Sequence, residues 1–148
     1  CDFTIAAEHA IFGQNGPRVG SPASGAIVSY LTRVIGAKRA REMWMLCRRY
    51  TAQQALEMGL VNAVVPMAKL DEEVDKWCGE LLALSPTCLR ILKASFVEEF
   101  GYLFGQGDQL RRYVTTREFW EEEQQEGARA FLEKRPPDFS RFRRRRSK

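Results

Sequence analysis

The sequence predicts an α/β fold in which helices outnumber strands. Phe3 and Ile5 alternate with polar neighbours, which is the period-2 pattern of a strand. Residues 60–65 form a second short apolar run, and the long stretches between and after these runs repeat apolar residues every three or four positions. Strands that meet amphipathic helices in this way are typical of an α/β fold with a helical C-terminal region.

The N-terminal elements start with a strand over residues 1–7 and a short second strand that ends at Gly13. Residues 14–25 contain three glycines, two prolines and two serines, a composition that excludes a regular element and is typical of a functional loop. Helices are predicted over residues 26–35, which Gly36 ends, and over residues 37–50.

The remaining elements are mostly helical. Thr51 is predicted to cap a helix over residues 52–58, which Gly59 ends. A strand over residues 60–65 and an amphipathic helix over residues 70–84 follow. Ser85-Pro86 predicts the start of a helix to about residue 100, and two more helices are predicted over residues 108–115 and 117–132.

The composition excludes several classes of protein. The 148 residues are 45% hydrophobic and 28% charged, which is ordinary for one globular unit. No apolar run approaches the roughly 18–20 residues of a membrane span, so no membrane partner is expected. The single His9 has no Cys or His cluster beside it, which argues against a zinc site. The four cysteines lack metal-binding spacing, and we interpret them as reduced core thiols of a cytoplasmic protein: Cys1, Cys47, Cys78 and Cys88.

The net charge of +4 is unevenly placed, because Arg141, residues 143–146 and Lys148 form a basic tail. One interpretation is a contact with polyphosphate or nucleic acid, and the other is a solvated chain end. The tail has no aromatic ladder or nucleic-acid motif beside it, so nucleic acid is not an expected partner.

Several motifs, in order along the chain, resemble the crotonase (enoyl-CoA hydratase/isomerase) superfamily. These motifs are Cys1–Ala7, Ala10–Ser21, Arg39–Trp44, Ala55–Asn62, Val64–Pro66, Ser85-Pro86 and Gln125–Phe139. Within the superfamily the chain most resembles the 1,4-dihydroxy-2-naphthoyl-CoA synthases of menaquinone biosynthesis. The ring-opening 2-ketocyclohexanecarboxyl-CoA hydrolases are near neighbours.

The resemblance implies a division of the chain into three parts. Residues 1–84 would be the distal part of a crotonase-type β-spiral, residues 85–139 a helical region that mediates trimer or hexamer contacts, and residues 140–148 the basic tail. In the superfamily, the N-terminal half carries the oxyanion-hole amides and much of the acyl-CoA pocket. We therefore expect this chain to be the distal part of a larger fold.

The chemistry implied by the resemblance is the formation of an enolate beside a thioester, which needs a stabilised oxyanion and a positioned base. The synthases often hold bicarbonate as that base, in a cradle that matches Gln14, Gly16 and Trp44. Glycine leaves room where a hydratase has Glu, and the amide and the indole N–H can donate to an anion. The alternative is structural: Gln14 caps a turn, Gly16 accommodates Pro17, and Trp44 belongs to the core.

Three positions depart from the synthase pattern and place that reaction in question. The catalytic Asp position is Ala23, a nearby small polar position is Val28, and a tyrosine donated by neighbouring subunits aligns with Phe119. Neither Ala nor Phe can transfer a proton. The nearby hydroxyl residues are Ser21, Ser24 and Tyr30. We favour a structural role for them, and a catalytic role is the weaker alternative.

Two function hypotheses follow from the resemblance. The first is an enzyme with no tightly bound cofactor that acts on a cyclic or aromatic acyl-CoA, with Phe131 and Lys134 contacting coenzyme A from a neighbouring subunit. The alternative interpretation of these two residues is an aromatic at a helix end and a solvated lysine. The second hypothesis is a non-catalytic diverged subunit that forms homo-oligomers or pairs with a complementary crotonase chain.

Overall fold

The computed structural model describes residues 1–96 and 116–142, in which short strands are surrounded by helices. Strand β1 (Ile5–Ala7) pairs in parallel with β4 (Ala63–Val65), with Ala6 opposite Val64. Strand β2 (Ile11–Gly13) pairs antiparallel with β3 (Arg49–Thr51), with Phe12 opposite Tyr50. These two small sheets carry the helices that position the candidate site.

Six helices make up about half of the described residues. They are α1 (Ala26–Ile35), α2 (Ala37–Leu46), α3 (Ala52–Glu57), α4 (Leu70–Leu82), α5 (residues 86–96) and α6 (Gln124–Leu132). A π-helical turn over Phe119–Glu123 leads directly into α6, and short 3₁₀ turns occupy Gly16–Val19, Met67–Lys69 and Ser140–Phe142.

The core lies between α1, α2 and the antiparallel pair of β2 and β3. Leu31 and Ile35 of α1 pack with Met43 and Trp44 of α2, and Tyr50 of β3 joins them. A smaller cluster of Ala6, Ala52, Ala55 and Val61 joins β1 to α3. Gly36 has φ of 81°, a conformation that favours glycine, and this allows α1 and α2 to follow each other without a longer loop.

The helix predicted over residues 37–50 is too long. It ends at Leu46 because Cys47 adopts a left-handed conformation with φ of 51°, and the chain then turns into β3. The hydroxyl of Tyr50 donates to Glu42 Oε1 at 3.0 Å, and Arg48 Nη1 donates to the same oxygen at 2.7 Å. These contacts tie β3 back to the helix that precedes it.

The predicted cap at Thr51 is confirmed as a complete capping box. Gln54 N–H donates to Thr51 Oγ1 at 3.2 Å, and Thr51 N–H donates to Gln54 Oε1 at 2.9 Å. Gly59, with φ of 77°, follows the end of α3 as predicted. The helix predicted over residues 26–35 has the same bounds in the structure, whereas the first and last strands are each shorter than their apolar runs.

The amphipathic helix predicted over residues 70–84 is α4, which ends at Leu82, and none of its residues is buried. Val74 and Leu82 are exposed, although Trp77 packs edge to face on Phe3 with ring centroids 5.5 Å apart. The cysteines are free, but only Cys47 is buried, whereas Cys1, Cys78 and Cys88 lie at the surface. The interpretation of the cysteines as core thiols therefore holds for Cys47 alone.

Some predictions lie outside the described residues. They are the helix over residues 108–115, the end of the helix that starts at Pro86, and the basic tail beyond Phe142. Within the described ranges, no helix is long and apolar enough to cross a bilayer. The same ranges contain no group of three or more His, Cys, Asp or Glu that could hold a metal ion.

Candidate functional site

A tight turn formed by residues 16–20 (the 16–20 turn) shapes the candidate site. Pro17 starts the 3₁₀ turn, and Gly20 closes it in a left-handed conformation with φ of 67°. Arg18 N–H donates to the Asn15 carbonyl at 3.0 Å, and Ser21 N–H donates to the Gly16 carbonyl at 2.9 Å. Proline fixes its own φ, so the turn presents Gly16 in a defined position.

Gly16 lies directly against Trp44 of α2. A Cβ atom added at Gly16 would lie 3.7 Å from Trp44 Cζ3 and 3.1 Å from the Ser21 carbonyl oxygen. A side chain at Gly16 would therefore be crowded by the Ser21 carbonyl and would contact the indole ring. The structure thus brings together two of the three predicted cradle residues, which are 28 positions apart in the sequence.

Trp44 is unusual because its indole is buried but its N–H is not satisfied. The residue is 9% exposed, and Nε1 has no hydrogen-bond partner among the described residues. Trp77 shows the ordinary situation, since its Nε1 donates to Glu73 Oε1 at 2.8 Å. A buried donor without an acceptor costs about 1–3 kcal/mol, so such a group calls for a ligand or another specific explanation.

Gln14 lies between the β2 strand and the 16–20 turn. Its half-buried side chain lines a cavity of about 260 Å³ with Phe12, Asn15 and Arg49. Within residues 1–96 and 116–142, its amide makes no hydrogen bond, so its donors are free to face a ligand.

The weaker hydroxyl candidates lie on the loop that leaves the turn and on α1. Ser21 is exposed, Ser24 is half-buried, and Tyr30 is exposed on α1. Ala23, at the family's Asp position, is exposed, and its N–H donates to the Ser21 carbonyl at 3.1 Å. Val28 packs against the core formed by α1 and α2.

The C-terminal segment contacts the same turn. A Cβ atom added at Gly127 of α6 would lie 2.4 Å from the Val19 carbonyl carbon, and one at Gly20 would lie 2.8 Å from Gln124 Cα. These distances leave no room for side chains, so the two glycines allow α6 to rest on the 16–20 turn. Phe119 stacks edge to face on Trp120 in the preceding π-helical turn, with centroids 5.1 Å apart.

Phe131 is exposed at the end of α6, where it lines a second groove of about 430 Å³ on this same chain. The eight residues of this groove are Asn15, Arg18, Val19, Arg49, Phe131, Arg135, Pro136 and Pro137. Lys134 is exposed just beyond α6, in a left-handed conformation with φ of 54°. Phe131 therefore faces residues of the 16–20 turn and of β3.

Glu126 is the last residue of the polar run 121–126, which the sequence alone suggests is a solvated helix face without a chemical role, and for Glu126 that interpretation is wrong. It is buried, and its carboxylate accepts from Arg135 Nη1 at 2.6 Å and Nη2 at 3.0 Å and from Asp138 N–H at 2.9 Å. The hydrogen bonds from Arg135, reinforced by that from Asp138, lower the pKa of Glu126 to about 2. Its position one residue before Gly127 and four before buried Ala130 is the signal that could have revealed it.

The chain matches the family model for enoyl-CoA hydratase/isomerase over residues 1–142. It is also similar to solved structures of a methylmalonyl CoA decarboxylase (28% identity, TM-score 0.81) and of an enoyl-CoA hydratase from Mycobacterium avium subsp. paratuberculosis K-10 (27% identity, TM-score 0.77). A third is enoyl-CoA hydratase subunit I from Geobacillus kaustophilus HTA426, with 35% identity and a TM-score of 0.62.

These three alignments cover 93%, 94% and 94% of this chain. In the same order, they cover 55%, 56% and 54% of the three solved chains. The chain thus spans just over half the length of the solved structures that it matches. The likeness confirms the predicted α/β fold of the crotonase type with its helical C-terminal region. Since the family model matches nearly the whole sequence, the chain belongs to the enoyl-CoA hydratase/isomerase family, the crotonase superfamily.

Proposed function

We propose that this protein acts on acyl-CoA thioesters with a cyclic or aromatic acyl group, through enolate chemistry like that of the 1,4-dihydroxy-2-naphthoyl-CoA synthases. Membership of the family supports a CoA thioester as substrate. The solved relatives are named for methylmalonyl-CoA and enoyl-CoA, two different acyl groups, so the relatives support the thioester rather than one acyl group. The choice of a cyclic acyl group rests on the synthase-like motifs of residues 10–21 and 125–139.

The observation that carries the proposal is the buried, unpaired indole N–H of Trp44, a residue whose ring lies against Gly16 through Cζ3. In the family pattern Gly16 stands where a hydratase has a carboxylate, so this chain lacks a side-chain base at that position. A bound anion would give the indole N–H an acceptor, and charge-assisted hydrogen bonds are the stronger kind. The side-chain amide of Gln14, two residues before Gly16, would supply a second donor to the anion.

The donor set fits bicarbonate, because indole and amide N–H groups donate and the cradle of Gln14, Gly16 and Trp44 presents no carboxylate that would repel it. When bound, bicarbonate would supply the basic oxygen that these side chains lack. Trp44 and Gln14 would orient the anion, and burial of Trp44 in the core would keep the indole in one position. Coenzyme A is proposed to contact Phe131 and Lys134, whether these residues come from the same subunit or a neighbouring one.

The test of the cradle is anion-dependent stability, since a ligand that binds only the folded state raises the melting temperature. We expect bicarbonate, at ionic strength fixed with gluconate, to raise the Tm of the parent. Trp44→Phe removes the N–H and should abolish this shift, and Gly16→Glu should abolish it by filling the space. Trp77→Phe is the matched control, because its indole N–H already has Glu73 as acceptor, and it should keep the shift.

The cradle interpretation is wrong if Gly16→Glu and Trp44→Phe respond to bicarbonate as the parent does. It is also wrong if the parent shows no shift while remaining folded. Chloride in place of bicarbonate shows whether the cradle selects among small anions.

A second candidate function is a non-catalytic crotonase subunit, or an enzyme with a different acyl group such as a ring-opening hydrolase. Ala23 and Phe119 favour it, because neither can transfer a proton. Ala23→Asp together with Phe119→Tyr tests this candidate on the naphthoyl substrate. A gain of about 10²–10⁴-fold would indicate a synthase that has lost proton-transfer groups. No gain would favour a changed substrate or a lost activity.

A cytoplasmic location is part of the proposal. Cys1, Cys78 and Cys88 are exposed and unpaired, and exposed free thiols persist in reducing compartments.

A further inference from the structure

We infer that Arg18 and Arg49 form a phosphate-binding site in the groove beside Phe131. We call this surface the arginine groove; its eight residues are those that line the 430 Å³ groove described above. Arg18 comes from the 16–20 turn and Arg49 from β3, so the fold brings together two cations that are 31 positions apart. No motif of the sequence pointed to this pair.

The charges of the groove are not balanced. Three of its eight residues are arginines, and none carries a carboxylate. Arg135 is already occupied, since Glu126 and Glu133 accept from its guanidinium at 2.6 Å each. Arg18 and Arg49 are both exposed, and neither forms an ion pair with any residue in the described part of the chain. The groove therefore holds two uncompensated guanidinium groups.

The donor chemistry of the groove selects phosphate. Guanidinium groups present planar N–H forks that match phosphate oxygens, and two such groups without a carboxylate attract a multiply charged anion. Phe131 is 64% exposed on the same groove, and it offers an apolar face for the rest of the molecule. Pro136 and Pro137 also line the groove, and their fixed φ angles limit rearrangement there. The volume of the groove lies within the range of small-molecule sites.

The groove borders the cavity that contains Gln14. Asn15 and Arg49 line both this groove and the smaller cavity that contains Gln14. A phosphorylated ligand bound by Arg18 and Arg49 could thus extend toward the Gln14 side. The phosphate could come from the diphosphate of a CoA thioester, an alternative that rests on the proposed function, or from a free phosphorylated metabolite.

Titration calorimetry at low ionic strength with two probes, pyrophosphate and coenzyme A, tests the inference. We expect both to bind the parent and Arg18→Gln/Arg49→Gln to weaken both at least about tenfold. The matched control Lys38→Gln/Arg41→Gln removes two exposed charges from α2, outside the groove, and should bind as the parent does. Circular dichroism verifies that each variant is folded. The variant Arg18→Lys/Arg49→Lys keeps both positive charges but removes the planar guanidinium N–H groups.

The two sources of phosphate give different results. Coenzyme A that binds at least tenfold more tightly than pyrophosphate, and is displaced by it, indicates the thioester. Equal affinities indicate a free phosphorylated metabolite, and both results support the site. Parent-like binding by the folded Arg18→Gln/Arg49→Gln variant, or no binding of pyrophosphate to the parent, overturns it. Because pyrophosphate carries no acyl group, its binding tests the phosphate site independently of the proposed acyl-CoA chemistry.

Discussion

At the scale of single residues, Glu126 makes the clearest contribution to the C-terminal segment. Its carboxylate joins α6 to Arg135 and to the backbone of Asp138, so it fixes the chain that borders the arginine groove. Burial would normally favour the protonated acid, but two hydrogen bonds from Arg135 and one from the backbone outweigh that effect.

The first prediction concerns the acid stability of this contact. The pKa of Glu126 is about 2 in the folded state and near the ordinary value of about 4.3 in the unfolded chain. Its ionised form therefore stabilises the fold above about pH 4.5, and this stabilisation is lost as the pH falls toward 2. Urea unfolding should show a steeper loss of stability between pH 4.5 and 2 for the parent than for Glu126→Gln.

Glu121→Gln is the control for this measurement. It removes an exposed ion pair with Arg117, and exposed pairs contribute about 0–1 kcal/mol, so its pH profile should follow that of the parent. Identical pH profiles for the parent and Glu126→Gln would show that the contact does not stabilise the fold.

The residue scale also shows what the sequence could predict about the site. Gln14, Gly16 and Trp44 were selected from the resemblance, and their chemistry as donors around a space could be read from residue types. The sequence could not show whether the indole N–H of Trp44 has an acceptor, because that depends on which atoms the fold brings to Trp44. Trp77 has the same side chain, and Glu73 satisfies it.

At the scale of elements, the contact between α6 and the 16–20 turn depends on two glycines. The second prediction is that Gly127→Ala destabilises the protein by about 1–3 kcal/mol, the usual effect of overpacking, because its methyl group would lie 2.4 Å from Val19. Chemical denaturation measures this change.

Gly79→Ala is the matched control, since Gly79 is also a helical glycine but has no atom within 4 Å of an added Cβ. It should stabilise α4 by about 0.5–1 kcal/mol. If Gly127→Ala is as stable as the parent, α6 does not rest on the turn as described.

Local signals predicted elements well where a single residue determines the boundary. Gly36 ended α1, and Thr51 capped α3, because glycine and a capping hydroxyl act through their own backbone neighbours. The end of α2 was missed because Cys47, a residue without such a preference, takes the left-handed conformation. Pairing with β2 and the contacts of Tyr50 with the core and Glu42 hold β3 in place, and these are tertiary effects.

At the scale of the whole molecule, α4, α5 and the turn between them expose several large apolar residues. Leu82 is 86% exposed and Ile91 61% exposed, and Leu84, Leu92 and Phe96 are exposed with them. Exposed apolar residues that form one surface are typical of protein interfaces. The spacing of apolar residues predicted that α4 is amphipathic. It could not show whether the apolar face packs in the core or lies on a surface that a partner covers.

The third prediction is therefore that the protein is a trimer or hexamer, with α4 and α5 at the contacts. Light scattering at micromolar concentration should give a multiple of 17.0 kDa. Leu82→Glu/Ile91→Glu should lower the mass, because charges at an apolar contact must be desolvated. Met45→Glu, at an exposed position of α2, should leave the mass unchanged. A compact monomer of the parent would contradict the prediction.

The most direct test of the central proposal is exchange of the α-proton of a cyclic acyl-CoA, such as cyclohexanoyl-CoA, in D₂O, followed by ¹H NMR. Exchange reports enolate formation whatever the later reaction. We predict exchange above the buffer rate that increases with bicarbonate in the parent and loses this dependence in Trp44→Phe but not in Trp77→Phe. Exchange at the buffer rate at every bicarbonate concentration, with the protein folded and the thioester bound, would contradict the proposed enolate chemistry.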